Sequence, residues 1–257
     1  AVDSLHAARG GGRFHGIETS AKITDWRAVV AQKQALVDDL RVAKYIDVLT
    51  NYNTISYIEG AAKFSENGAL DVDGQIIRAP KVIITTGASS HVPEIKGLES
   101  IDWLDSTSAL ELERLPGSLM IMGGGYIGVE VAQIFARAGV RVSIVTRRGL
   151  LPEAEPEISA ALTEFFEGEG IRVLDGLTYD RFEADNGTVR LLARRDGSAV
   201  EIVADRLMLA TGRVPNTGAL ALDAAGIETD DLGAIIVDAQ MRSTREGVYA
   251  AGDVTGR

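Results

Sequence analysis

Residues 115–148, LPGSLMIMGGGYIGVEVAQIFARAGVRVSIVTRR, constrain the fold of this chain more than any other stretch. An apolar run at 119–122 leads into Gly123-x-Gly125-x-x-Gly128. Val129, Ala132, Ile134, Phe135 and Ala138 then recur at helical spacing, Gly139 ends the pattern, and 140–146 is a second apolar run. Strand, glycine turn, helix, strand is the setting in which such a fingerprint binds a dinucleotide. Gly123 permits the tight turn, Gly125 lets a pyrophosphate approach the backbone, and Gly128 lets the helix pack close to the strand. The helix N-terminus adds free N–H groups and partial positive charge. The alternative is an ordinary glycine-rich βα turn without a ligand.

The tip of the second strand discriminates between cofactors. An NAD site places Asp or Glu there, on the ribose 2′-hydroxyl. Here the strand runs into Thr146-Arg147-Arg148, and no carboxylate follows until Glu153. Two guanidiniums suit a 2′-phosphate, through forked, charge-assisted bonds. The expectation is NADPH rather than NADH, with solvated surface arginines as the alternative.

Bulk properties narrow the rest. A chain of 257 residues, 46% hydrophobic and with 28 glycines, suits a two-domain α/β protein. Its net charge of −11 argues against a nucleic acid or an anionic membrane as partner. No apolar run is long enough to span a bilayer and no signal peptide is visible, so a cytoplasmic location is expected. With no cysteine, the chain has no disulfide, thiolate or zinc–sulfur chemistry, and its three histidines show no metal-ligand spacing.

Along the chain, a glycine-rich loop is expected around Gly10-Gly11-Gly12. Thr24 then caps a long amphipathic helix, with Asp25 in its first turn, whose apolar stripe runs from Ile23 and Trp26 to Ile46 and Leu49 and lies on a sheet. Residues 55–64 read as strand, and Asn67-Gly68 and Asp73-Gly74 as hairpin turns. Residues 81–85 form an apolar strand ending in Thr86-Gly87. After the fingerprint come a helix over 158–169 opened by Pro156, a strand at 171–174, and a three-stranded meander over 182–203 with turns at Asn186-Gly187 and Asp196-Gly197. Residues 207–210 are a strand ending in Thr211-Gly212.

RLMLATGRVPN at 206–216 echoes KVIITTGASSHVP at 81–93. Each is an apolar strand, then Thr-Gly, then a loop to proline, and each follows a meander. Two nucleotide-binding units on one plan produce this. The first unit has no glycine fingerprint upstream of Thr86, so its opening βαβ piece is missing. Near the end, 248–251 is a strand followed by Gly252-Asp253, at the carboxyl edge where open α/β sheets hold ligands. A carboxylate there can accept from a sugar or ribityl hydroxyl; a plain turn is the alternative.

GGGYIGVE (123–130), ATGRVPN (210–216) and YAAGD (249–253), in this order and spacing, resemble the flavin-dependent pyridine nucleotide–disulfide oxidoreductases. AKYIDVL (43–49), LPEAEPEI (151–158) and MRSTREGVYAAGDVTGR (241–257) are most similar to its mercuric reductase branch. The resemblance implies electron flow from NADPH to FAD, then to a disulfide and a small-molecule or metal-ion substrate. It implies an NADPH pyrophosphate site at Gly123, Gly125 and Gly128, a 2′-phosphate site at Arg147 and Arg148, and Ile127 and Gly212 as further cofactor-binding residues. It makes Tyr126 the aromatic over the nicotinamide pocket and Glu130 the carboxylate near flavin and nicotinamide. Gly60 and Ala61 become backbone contacts to the FAD adenine, and Thr86, Gly87, Arg213, Gly252 and Asp253 further FAD contacts. Tyr126 and Glu130 can equally be helix-face residues.

The departures from the family pattern are as informative. The first FAD fingerprint, the CxxxxC redox pair and the C-terminal interface domain are missing from this sequence, which reads as an interior segment of a longer enzyme that is a homodimer when whole. The expected fold is two Rossmann-like FAD/NAD(P)-binding units of the α/β class, each three-layered with a parallel sheet plus a β-meander. A partial FAD-binding domain is expected from 1–104 and 213–257, and a complete NADPH-binding domain from 105–212. Weak FAD retention and self-association of the incomplete half are expected. A dihydrolipoamide dehydrogenase- or glutathione reductase-like member, and a non-catalytic nucleotide-binding fragment, stay open as alternatives.

Overall fold

The computed structural model describes residues 1–9, 16, 19–185 and 187–256. The glycine loop expected at Gly10-Gly11-Gly12 lies outside them, as does Asn186 of the expected Asn186-Gly187 turn. The chain packs as two compact units, residues 1–40 with 91–212 and residues 41–90 with 213–257. Against the limits expected from the sequence, 1–40 and 91–104 fall in the unit that carries the glycine fingerprint.

At the centre of the first unit is a four-stranded parallel sheet. Its order is Arg206–Leu209, Ser118–Met122, Arg141–Val145, Arg172–Leu174. Leu209, Met122, Val145 and Leu174 share one rung, so the four carboxyl ends are level. Residues 118–122 are buried without alternation, as expected of a strand covered on both faces. Met120, Met122, Leu207 and Leu209 face a core completed by Phe182, Leu191 and Ile202 of the meander. Leu119, Ile121, Ile144 and Met208 face a second core completed by Val129, Ala132 and Phe135 of helix Tyr126–Arg137 and Phe166 of helix Pro156–Gly168. Burying each large side chain contributes about 1.5–3 kcal/mol. The meander is Leu177–Asp185, Thr188–Arg195 and Ser198–Ala204, all antiparallel. Asp196 and Gly197 turn the second hairpin, both with positive φ.

Two expectations are corrected. The helix cap is not Thr24: the helix is Trp26–Arg41, and Asp25 Oδ1 accepts the Ala28 N–H at 3.2 Å. Nor does its apolar stripe lie on a sheet; the helix has no buried residue, and Leu36 is 59% exposed. Its anchor is at the start, where Trp26 Nε1 donates to the Leu112 carbonyl at 2.8 Å and the indole sits 6.3 Å from the Phe135 ring.

In the second unit, Val82–Ile84 and Val248–Ala250 pair in parallel. Arg213–Pro215 pairs antiparallel with Ala88–Ser90. A small antiparallel sheet is formed by Ala62–Phe64, Leu70–Val72 and Gln75–Ile77, turning at Asp73-Gly74 with positive φ at both residues. The strand expected over 55–64 is formed only at its last three residues. Phe64, Ile84, Leu222, Ile227, Ile235, Val248 and Val254 make its core.

Candidate functional site

The level carboxyl ends of the parallel sheet open into a cleft of about 440 Å³, within the size range of small-molecule sites. The glycine turn, Tyr126, residues 146–148, the loop 151–154, Tyr179, His91, Pro93 and residues 210–212 line it.

The chain's own packing dictates three of the turn's glycines. Gly123 has φ +118°, and a Cβ there would stand 2.2 Å from the Ala210 carbonyl oxygen. A Cβ on Gly128 would stand 2.3 Å from the Gly123 oxygen, which is the helix-to-strand approach expected of that position. Gly124, which sequence reasoning did not single out, would meet the Gly149 oxygen at 2.3 Å. Gly125 differs. It caps helix Tyr126–Arg137 with φ −78° and ψ 180°, a backbone any residue adopts, and a Cβ there meets nothing within 4 Å among the described residues. Protein packing therefore leaves its glycine unexplained, and it borders the cleft at a helix N-terminus, where unpaired N–H groups face outward.

The opposite wall carries the cations. Thr146 is buried, and its hydroxyl donates to the Gly149 carbonyl at 3.2 Å and accepts the Arg148 N–H at 3.4 Å, shaping the strand's exit. Arg147 and Arg148 both reach the cleft. The Arg147 guanidinium lies 5.2 Å over the centre of the Tyr179 ring, a cation–π arrangement. Burial pushes the Tyr179 hydroxyl up to about 12, against the lowering effect of Arg147. Arg148 pairs with Glu153 at 2.9 Å. The loop carrying Glu153 is tied to the turn, since the Leu151 N–H donates to the Gly124 carbonyl at 2.7 Å. At the back, the His91 N–H donates to the Gly212 carbonyl at 3.0 Å and the Thr211 hydroxyl to the His91 carbonyl at 2.7 Å.

The structure thus gathers Gly123, Gly125, Tyr126, Arg147, Arg148 and Gly212 around one cleft. Gly128 supports it from within, and Tyr126, 69% exposed, stands at its mouth. Ile127 packs against the helix-side core instead, and Glu130 is exposed on the helix outside the cleft lining. Tyr179, Glu153 and Gly124 escaped sequence reasoning as site residues. The polar–apolar alternation of the meander gave no sign that Tyr179 would underlie a cation.

The second unit gathers another set at the ends of its parallel strands. Arg213 Nε lies 3.3 Å from Asp253 Oδ2, and the guanidinium also donates to the Ala88 carbonyl. Gly252, with φ +78°, leads into the turn Asp253–Thr255. Thr86 and Gly87 are held by Asn216, which sequence reasoning passed over although it ends the ATGRVPN motif. Gly60 and Ala61 are engaged by Asp73. A Cβ on Gly60 would stand 2.6 Å from the Asp73 carboxylate, and the Ala61 N–H donates to that carboxylate at 3.3 Å. Both glycine and backbone donor there are accounted for by Asp73.

Comparison with known proteins gives the same direction. The family model described as pyridine nucleotide-disulphide oxidoreductase matches residues 10–257. Mercuric reductase of Bacillus cereus is 40% identical over 243 residues, 94% of this chain and 38% of that protein. Mercuric reductase of Streptomyces lividans is 37% identical over 99% of this chain and 55% of its own length. Among solved structures, the HOCl-induced flavoprotein disulfide reductase RclA from Escherichia coli superposes with TM-score 0.83 and 32% identity, over 99% of this chain and 56% of that one. Its Cu(II) complex gives TM-score 0.84 and 31% identity, over 100% of this chain and 56% of that one. The chain therefore spans roughly 40–55% of the curated relatives' length. With the glycine turn, the paired nucleotide-type units and matches over nearly all of this chain in agreement, this chain belongs to the pyridine nucleotide-disulphide oxidoreductase family.

Proposed function

We propose that this chain is the nucleotide-binding central part of an FAD-dependent oxidoreductase that draws hydride from NADPH and, in full-length form, reduces a metal ion, Hg(II). The observation that carries the reading is Gly125: a glycine that no backbone angle and no contact among the described residues requires, at a helix N-terminus, facing two arginines across a cleft. The residues present fit a pyridine nucleotide. The open face of Gly125 and the N–H groups of the helix end would take the pyrophosphate, and Arg147 and Arg148 the 2′-phosphate. Tyr126 at the cleft mouth would cover the nicotinamide side. Bound together, NADPH and FAD supply hydride transfer; the chain's share is to hold and orient. Arg213, Asp253, Thr86 and Gly87 would hold the flavin side within the second unit, while Ala61, engaged by Asp73, would have to release its N–H to serve the adenine.

The metal ion is inferred from the names of the relatives, and the reduction belongs to the whole enzyme, because this chain has no cysteine to carry a dithiol relay. The same observation favours one second reading, a nucleotide-binding module without catalysis of its own. Titrating the purified chain with NADPH and NADH tests the first reading. Tighter NADPH binding is expected, and equal affinities would overturn the 2′-phosphate assignment. Flavin content separates the two readings: a yellow chain that oxidises NADPH contradicts the module.

A further inference from the structure

We propose that Glu153 is a specificity-determining residue of the cleft, weakening its preference for a 2′-phosphate by competing for the Arg148 guanidinium. This rests on the assignment of Arg147 and Arg148 to that phosphate. The two arginines are not equivalent in the structure. Arg147 lies over the Tyr179 ring and, among the described residues, has no carboxylate partner within ion-pair distance, so its donors stay free for an incoming anion. Arg148 is bound to Glu153 at 2.9 Å, and both residues line the cleft.

The Glu153 side chain is exposed, but the backbone that carries it is held in place. Its loop is pinned to the glycine turn by the Leu151–Gly124 hydrogen bond of 2.7 Å and closed on itself by the Ala154 N–H on the Leu151 carbonyl at 2.9 Å. Leu150 is buried, the Ser159 hydroxyl holds its carbonyl, and Leu151 takes a left-handed φ of +43° that fixes the exit of the loop. The carboxylate is thus presented at the rim by a fixed backbone. A phosphate arriving at Arg148 must share or displace it, and a carboxylate left beside a phosphate that is mostly doubly charged repels it. A ribose that carries a free 2′-hydroxyl meets an acceptor instead, the role a carboxylate plays in NAD sites. Glu153 therefore penalises the phosphorylated ribose and favours the plain one, which narrows the gap between the two cofactors.

The test uses the 257-residue chain and two half-nucleotides, 2′,5′-ADP and 5′-AMP, with dissociation constants from calorimetry at low and moderate salt. Glu153→Gln keeps the shape and removes the charge. It is expected to raise the preference for 2′,5′-ADP about three- to tenfold, more at low salt. In an Arg148→Ala background the same substitution should change the preference less than twofold, because the effect runs through Arg148. An unchanged or reduced preference in Glu153→Gln overturns the proposal, as does a full effect in the Arg148→Ala background. If the unsubstituted chain and Glu153→Gln both bind the two probes equally, the phosphate assignment itself fails and this proposal falls with it. Both side chains are largely exposed, 69% and 76%, so the variants should fold.

Discussion

Thr86 and Asn216 hold each other by a reciprocal pair of hydrogen bonds. The Thr86 hydroxyl donates to the Asn216 carbonyl at 2.9 Å, and Asn216 Nδ2 donates to the Thr86 carbonyl at 2.9 Å. Asn216 Oδ1 also accepts from Ser89 at 2.7 Å, and its N–H donates to the Gly87 carbonyl at 2.9 Å. Residues 130 apart in sequence are thereby fixed at the end of a strand that carries expected flavin contacts. Asn216→Ala removes two side-chain bonds and should destabilise the second unit by about 1–3 kcal/mol. Urea unfolding checks it, and loss below about 0.5 kcal/mol would show the network to be ornamental.

The glycine turn yields a sharper contrast. Gly125→Ala meets no atom of the described residues and needs no unusual backbone angle, so the gain from a stiffer unfolded chain is offset by a poorer helix cap and stability should stay within about 1 kcal/mol. If a pyrophosphate rests against that backbone, the added methyl should still weaken NADPH binding by about tenfold or more. Gly123→Ala and Gly128→Ala should each destabilise the chain instead, since their methyls would stand 2.2 and 2.3 Å from carbonyl oxygens. Thermal melts and nucleotide titration on the three variants separate ligand-imposed from fold-imposed glycine. A Gly125→Ala protein with undiminished affinity would remove the main support for the site.

What could be read in the sequence was local. Strand, turn and helix around Gly123 announce themselves through period and glycine spacing, because hydrogen bonding and burial there repeat every few residues. Tyr179 and Glu153 were not legible as site residues, since only the packing of the meander and of the loop after the second strand brings them to the two arginines. Asn216 stood within a recognised motif, but its role depends on a partner far away in sequence. The helix Trp26–Arg41 shows the opposite failure: its pattern promised burial, yet amphipathic spacing specifies a face and not the surface that covers it.

That uncovered surface has a consequence. Past the helix, in the second unit, Tyr45, Tyr52, Tyr57 and Ile46 expose between 48% and 72% of their surface. Large apolar side chains left exposed promote association. The chain is expected to sediment as concentration-dependent oligomers, and Tyr45→Lys with Ile46→Lys should shift it toward monomer. A single sharp monomer boundary for the unsubstituted chain at high concentration contradicts this.

The two arginines call for a paired substitution. Arg147→Ala with Arg148→Ala removes charge-assisted contacts to the 2′-phosphate, each worth about 1.5–3 kcal/mol. NADPH affinity should fall at least tenfold while NADH affinity stays within about twofold. Tyr179→Leu, which takes away the ring under Arg147 but keeps apolar volume, should cost NADPH less, about two- to fivefold, corresponding to about 0.5–1 kcal/mol of cation–π support. Equal losses for both cofactors in the double variant would mean that the arginines shape the cleft and do not read the phosphate.

Acid sensitivity should trace to the contact between two helix ends. Arg137 binds Glu169 in a fork, Nε to Oε2 at 2.9 Å and Nη2 to Oε1 at 2.8 Å, with Gln133 donating to the same carboxylate at 2.9 Å. The side chains are only 16% and 17% exposed. The hydrogen bonds from Arg137 hold the Glu169 carboxyl below its ordinary value, against a partial opposing effect of burial. A carboxyl whose folded value is depressed stabilises the fold above its unfolded value, near 4.3, and that contribution is lost as pH falls through the folded value. Glu169→Gln should therefore cost about 1–3 kcal/mol at pH 7. The gap between variant and unsubstituted chain should stay constant down to about pH 5 and shrink below it. Urea unfolding across pH 3–7 checks both parts, and a gap that widens on acidification would show that the carboxylate is not what joins these helices.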